Sequence, residues 1–169
     1  MNGPKFIARV IEAGSLFGFS VGVKLVEAEK TITLDYIEEI QGRRGARMLR
    51  RDYGLFEATF GDESDWTCRS IILEIHRLAS MPDLADKIRD QTGIDLASYT
   101  EWADVENELH HPSGCLPFDS STVTQGDRIF RSQKTGVTVT VIDDPSSERG
   151  PYPGHGDIWG LDIIDPKFL

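Results

Sequence analysis

The chain has 169 residues, 39% hydrophobic and 27% charged, with a net charge of −10, a balance that fits one soluble globular domain spanning 1–169. No apolar run reaches the roughly 18 residues of a membrane span, and so acidic a chain is poorly suited to the phosphate backbone of a nucleic acid. The charge is uneven, −2 over residues 1–85 and −8 over residues 86–169, so the second half favours a basic partner.

The opening MNGPKFIARVIEAG carries Lys5, Arg9 and Glu12 where a secretory leader needs uninterrupted apolar residues, which points to a cytoplasmic location. Its Phe6, Ile7, Val10 and Ile11 recur at helical spacing, and Gly14 can end the helix. SLFGFSVGVKLV reads as a strand. TLDYIEEIQG reads as a helix capped by Thr33, with Tyr36, Ile37 and Ile40 on one face and Gly42 as its stop.

ARMLRRDYG, LFEATFGD and CRSIILEIHRLA follow as three strands; Ile71, Leu73 and Ile75 alternate with Ile72, Glu74 and His76. Within LRRDYGLFEATF, Asp52 is either an acid held by arginines or the bend of a hairpin. The hairpin is simpler, since Gly54 supplies a positive φ and Asp52 can bond the turn backbone. Arg50 and Arg51 point to opposite faces, so at most one is expected to meet Glu57 or an acid on a neighbouring strand.

PDLADKIRDQTG is a helix from Pro82 to Gly93. LASYTEWADVENELHH is a second, with Ser98 and Glu101 at capping-box spacing, Trp102, Val105 and Leu109 inward, and Glu101, Asp104, Glu106 and Glu108 in water. A loop is expected from His111 to Gly126. The runs DRIFRSQ, GVTVTVID and GDIWGLDII are strands, the first two joined by a hairpin at Gly136, and DPSSERGPYPGHGD is a long contact loop. The order predicts an α+β fold of two helix-plus-three-strand units, 33–79 and 97–164, sharing an antiparallel sheet with helices on one face.

The residues carry little sign of catalysis. His76, His110, His111 and His155 fit no zinc spacing, HHPSGC included, so no metal and no cofactor is expected. Cys68 and Cys115 form no CxxC pair and read as free thiols, with a disulfide left open. Nucleophile-elbow, phosphate-loop and metalloprotease motifs are absent. Acid groups such as Asp62/Glu63/Asp65 and Asp143/Asp144 fall in turns, so no catalytic residue is assigned. A small hydrolase around His155, Asp157 and His110 is one alternative, and a scaffold module is another.

RRDYGLFEATF, followed by WTCRSIILEIHRL, GVTVTVID and GDIWGLDII, resembles small bacterial immunity proteins of polymorphic-toxin systems. The resemblance implies a non-catalytic cytoplasmic antitoxin, a monomer or weak homo-oligomer, whose partner is a cognate toxin domain rather than nucleic acid or membrane. Diversity among such proteins lets no binding residue be carried over by position. An inhibitor of a nucleic-acid- or nucleotide-acting toxin would place carboxylates in its basic cleft. The candidates are Glu101, Asp104, Glu106 and Glu108 on the helix, Asp143, Asp144 and Glu148 after the central strand, and Tyr152 as an exposed aromatic between prolines. Trp102 and Trp159 read as core.

Overall fold

The computed structural model describes residues 1–62, 65–109, 118–124, 126–165 and 167. Helix α1, Gly3–Ala13, forms where the sequence places it. Asn2 caps it by accepting from the Lys5 N–H at 3.1 Å, and Gly14, at φ 62°, closes it with its N–H on the Val10 carbonyl. Strand expectation fails for SLFGFSVGVKLV: a tight turn pairs Leu16 with Phe19, and Leu25–Thr31 is helix α2. Helical expectation fails for TLDYIEEIQG, whose residues Ile37–Arg43 form strand β1.

From there the chain makes a meander of β1, β2 (Ala46–Asp52), β3 (Phe56–Gly61) and β4 (Thr67–Leu73). Helices α3 (Arg77–Ser80), α4 (Pro82–Thr92) and α5 (Trp102–Leu109) follow. Ser98 and Glu101 therefore precede α5 rather than cap it as a box. A second meander comprises β5 (Phe118–Thr124), β6 (Asp127–Ser132), β7 (Thr138–Ile142) and β8 (Ile158–Ile164). β5 runs through the segment expected as a loop, and each half supplies four strands rather than three. His110, His111 and Cys115 lie outside the described residues.

All eight strands form one antiparallel sheet in the order β1-β2-β3-β4-β8-β7-β6-β5. The α+β class holds, with helices packed on one face. Register sets that face: Leu49 lies opposite Phe60, Ala58 opposite Ile71, Ile71 opposite Ile163, and Leu161 opposite Val139. These side chains are buried beneath Phe6, Ile7, Val10 and Ile11 of α1, with Phe19 stacked on Phe60 and Trp102 on Phe130. Arg51 also points to this side. It is buried, donates to Glu29 at 2.7 Å and Glu38 at 2.8 Å, and lies over the Tyr36 ring. Arg50, on the other face, reaches Glu57 at 3.0 Å, so both arginines find acids where one was expected to.

Cys68 is free and buried, and burial pushes its thiol up to about 12. No described helix is long and apolar enough to cross a membrane. Trp102 is core, as expected, but Trp159 is half-buried between His76 and Tyr152, so only the first matches the expectation. Trp102→Ala is therefore expected to cost about 3–5 kcal/mol, and Trp159→Ala only about 1–2 kcal/mol. Urea unfolding of the two variants checks this ordering.

Candidate binding surface

The loop between β7 and β8 is built around Arg149. Its Nε and Nη2 donate to the two carboxylate oxygens of Asp157 at 2.8 and 2.6 Å, and Nη2 also reaches Glu101 at 2.8 Å. Asp157 is completely buried and accepts the Gly154 N–H at 2.9 Å as well. A buried carboxylate needs this many donors to offset its lost hydration. The loop is then fastened to the start of α5: Trp102 N–H donates to the Gly156 carbonyl at 2.9 Å, and the Tyr99 hydroxyl to that of Gly150 at 2.6 Å. Gly154 is required where it sits, because an added Cβ would approach the Arg149 backbone nitrogen to 2.8 Å.

This brace sorts the acids read from the sequence. Glu101 is taken up by Arg149, and Asp143 by Arg128 at 2.8 Å; both line a shallow hollow of about 300 Å3 with Trp102, Phe130 and His155. Asp144 accepts from the Ser146 hydroxyl and N–H, and the hydroxyl above all holds its carboxyl below the usual range. Glu106 has a contact within the chain. Asp104, Glu108 and Glu148 are exposed, and Tyr152 is 57% exposed. Of the candidate hydrolase residues, Asp157 is locked inside the brace and His155 is exposed, while His110 lies outside the described residues.

A second group of acids, unforeseen from the sequence, lies on the sheet face away from the helices. Strand register lines up Asp52, Glu57, Ile72, Asp162 and Thr138 in one row across β2, β3, β4, β8 and β7. Arg77, at the start of α3, reaches over this row. Its Nη1 donates to Asp52 at 2.9 and 3.1 Å and to the Gly54 carbonyl at 3.0 Å, and its Nη2 to Glu57 at 2.5 Å. Asp52 also accepts the Gly54 N–H at 2.8 Å, so it is the hairpin bend, with an arginine added from a distant helix rather than from Arg50 or Arg51.

Two carboxyls of this group are held above their ordinary range. Glu74 rises through burial, against the pull of Arg77, with Glu57, Asp162 and Asp52 adding repulsion; Asp162 rises through burial alone. The neighbouring His76 is pushed down by burial and then by Arg77, and its Nδ1 makes no hydrogen bond. Its ring stacks on Trp159, centroids 4.2 Å apart, and Tyr152 lies 6.0 Å beyond. The side chains thus run without a break from exposed Tyr152 through Trp159 and His76 to Glu74, Arg77 and Asp162. Among the described residues no three His, Cys, Asp or Glu side chains come together to hold a metal ion.

Arg77 and His76 carried a sequence signal of a kind: HRLA closes a strand-like run at the place where period-2 alternation ends. Which acids Arg77 would meet had no local signal, since Asp52 and Glu57 precede it by 25 and 20 residues. Comparison with protein-family models, with curated proteins and with solved structures finds no match to this chain.

Asp162 carries a pH signature. Its folded pKa lies above the unfolded value, so its charged form weakens the fold at neutral pH, and that penalty fades as pH falls through the raised pKa. Asp162→Asn is expected to stabilise the protein at pH 7, with the gain disappearing towards pH 4. Urea titrations at the two pH values measure it.

Proposed function

We propose that this chain is an immunity protein, an antitoxin that binds a cognate bacterial toxin in the cytoplasm and performs no chemistry itself. The observation that carries this reading is the desolvated acidic patch on the uncovered sheet face. There Asp52, Glu57 and Glu74 gather around Arg77, with Arg50 also at Glu57 and Asp162 in the same row, and two of the carboxyls hold their charge reluctantly. A lysine or arginine from a basic toxin would supply the missing counter-charge, so part of the cost of burying these acids is recovered on binding. Tyr152 and Trp159 offer the rigid aromatic contact that protein interfaces use as anchors, directly beside the acids.

The surface expected from the sequence lies on the same loop and the neighbouring helix. Glu148 and Tyr152 belong to the loop, and Asp104 and Glu108 to the solvent side of α5. Their role is long-range attraction, since exposed charges speed encounter more than they hold a complex together. Such a partner is most simply a toxin that acts on nucleic acid or nucleotides, whose substrate cleft is basic for its own reasons.

Co-expression tests the proposal: the toxin domain encoded immediately upstream is produced in bacteria with or without this chain. Restored growth and co-purification support it, and toxicity without rescue defeats it. Given a complex, Asp104→Lys, Glu108→Lys and Glu148→Lys together are expected to slow association about tenfold and flatten its salt dependence. Tyr152→Ala is expected to accelerate dissociation by about 2 kcal/mol, with the melting temperature of the free protein unchanged. Stopped-flow and surface-capture kinetics separate the two effects.

A further inference from the structure

Strand β1 is an end of the sheet, and all seven of its residues are exposed. It is also apolar for an edge: Ile37 is 71% and Ile40 53% exposed, with Tyr36, Met48 and Met81 exposed around them. Two hollows flank it, one of about 670 Å3 lined by Tyr36, Ile37, Tyr53, Met81 and Leu84, the other of about 340 Å3 beside Gln41 and Met48. Proteins that remain single often blunt such an edge with charges, lysine above all, or with proline; β1 has no lysine or proline, and its charges are Glu38, Glu39 and Arg43.

We infer that β1 pairs antiparallel with β1 of a second copy of this chain, across a two-fold axis at Gln41. The charges of the strand are self-complementary in that arrangement and in no neighbouring one. Asp35, Glu38 and Glu39 lie at its beginning, Arg43 and Arg44 at its end. Arg43 and Arg44 make no ion pair among the described residues. A two-fold perpendicular to the sheet keeps each residue on its own face, so residues of like parity meet. An axis at Glu39 sets Glu39 against its own copy, which repels. An axis at Ile40 leaves Glu38 opposite Gly42 and Ile37 opposite Arg43. The axis at Gln41 places Glu39 opposite Arg43 and brings Glu38 towards Arg44 in the turn that follows the strand, and symmetry repeats both pairs.

The apolar residues fit the same register. Ile40 lies opposite Gly42, which has no side chain to crowd it, and the two copies of Ile40 become diagonal neighbours within reach of each other. Glu38 and Glu39 already touch Arg51 and Arg50 of their own chain, so the incoming arginines extend ion pairs into networks. An isologous contact of this kind closes on itself and stops at two copies. The assembly would be one continuous sheet with its two outer ends formed by β5.

Sedimentation velocity of the full chain from about 1 to about 300 μM tests this. A dimer is expected, with hydrogen exchange slowed in residues 37–43 as it forms. Arg43→Glu with Arg44→Glu, and separately Ile40→Lys, are expected to weaken it by about tenfold or more; circular dichroism confirms that these exposed changes leave the fold intact. The wild-type dimer is also expected to loosen as salt is raised. A monomer at every concentration overturns the inference. So does a dimer indifferent to both variants, or exchange protection of β1 that appears only when a toxin domain is bound, which would give the edge to the toxin instead. The sedimentation and variant outcomes do not depend on whether the chain neutralises a toxin.

Discussion

The two halves of this molecule are joined where β4 meets β8. Four residue pairs make the seam, from Ser70 opposite Ile164 to Leu73 opposite Leu161. The approach is close, because a Cβ on Gly160 would sit 2.8 Å from the Leu73 carbonyl oxygen. Only glycine allows the strands that spacing. Were the seam displaced, Ile71 and Ile163 would separate in the core, and Asp162 would leave the row of Ile72 and Glu57. Both the buried side and the acidic side of the sheet hang on the same four pairs.

The sheet divides charge between its faces in an informative way. On the helix-covered face Arg51 is admitted only because Glu29 and Glu38 meet it; burial works against its charge, but these bonds more than compensate and raise its pKa. On the open face the balance is reversed, with acids in excess around Arg77. Satisfied buried charge belongs to the scaffold, and under-compensated charge at a surface invites a partner. That contrast separates Asp157, whose charge is met by Arg149 and the Gly154 N–H, from Asp162, whose carboxyl is raised by burial.

Parts of this were legible in the sequence for identifiable reasons. Helix α1 has an apolar period and a terminating Gly14, two signals in agreement, and the structure adds Asn2 as its cap. The hairpins at Gly54 and Gly136 were legible because each glycine takes a positive φ, 86° and 72°, that other residues avoid. TLDYIEEIQG misled because Tyr36, Ile37 and Ile40 repeat at helical spacing, yet their apolar character reflects an exposed edge rather than a buried helix stripe. FDSSTVT reads as loop by composition, although Ser and Thr are at home in strands once neighbours supply the ladder. Tyr152 was placed in solvent correctly, since prolines on both sides deny its backbone a place in a strand. The Arg149 and Arg77 clusters join residues up to 48 positions apart, and no local pattern announces pairings made by the closure of a sheet.

The arrangement of two meanders, each ending at the centre of the sheet, also governs how the chain can be made. β8 is the last of the eight strands to leave the ribosome, and it alone covers the free side of β4. While residues 74–157 are being synthesised, at roughly 5–20 residues per second, the first meander waits with Ile71 and Ile72 along an open edge. Both of its outer strands are then available to other nascent chains. The newborn protein therefore spends several seconds with that edge unpaired, until β8 arrives with the glycine at 160 that lets it approach β4.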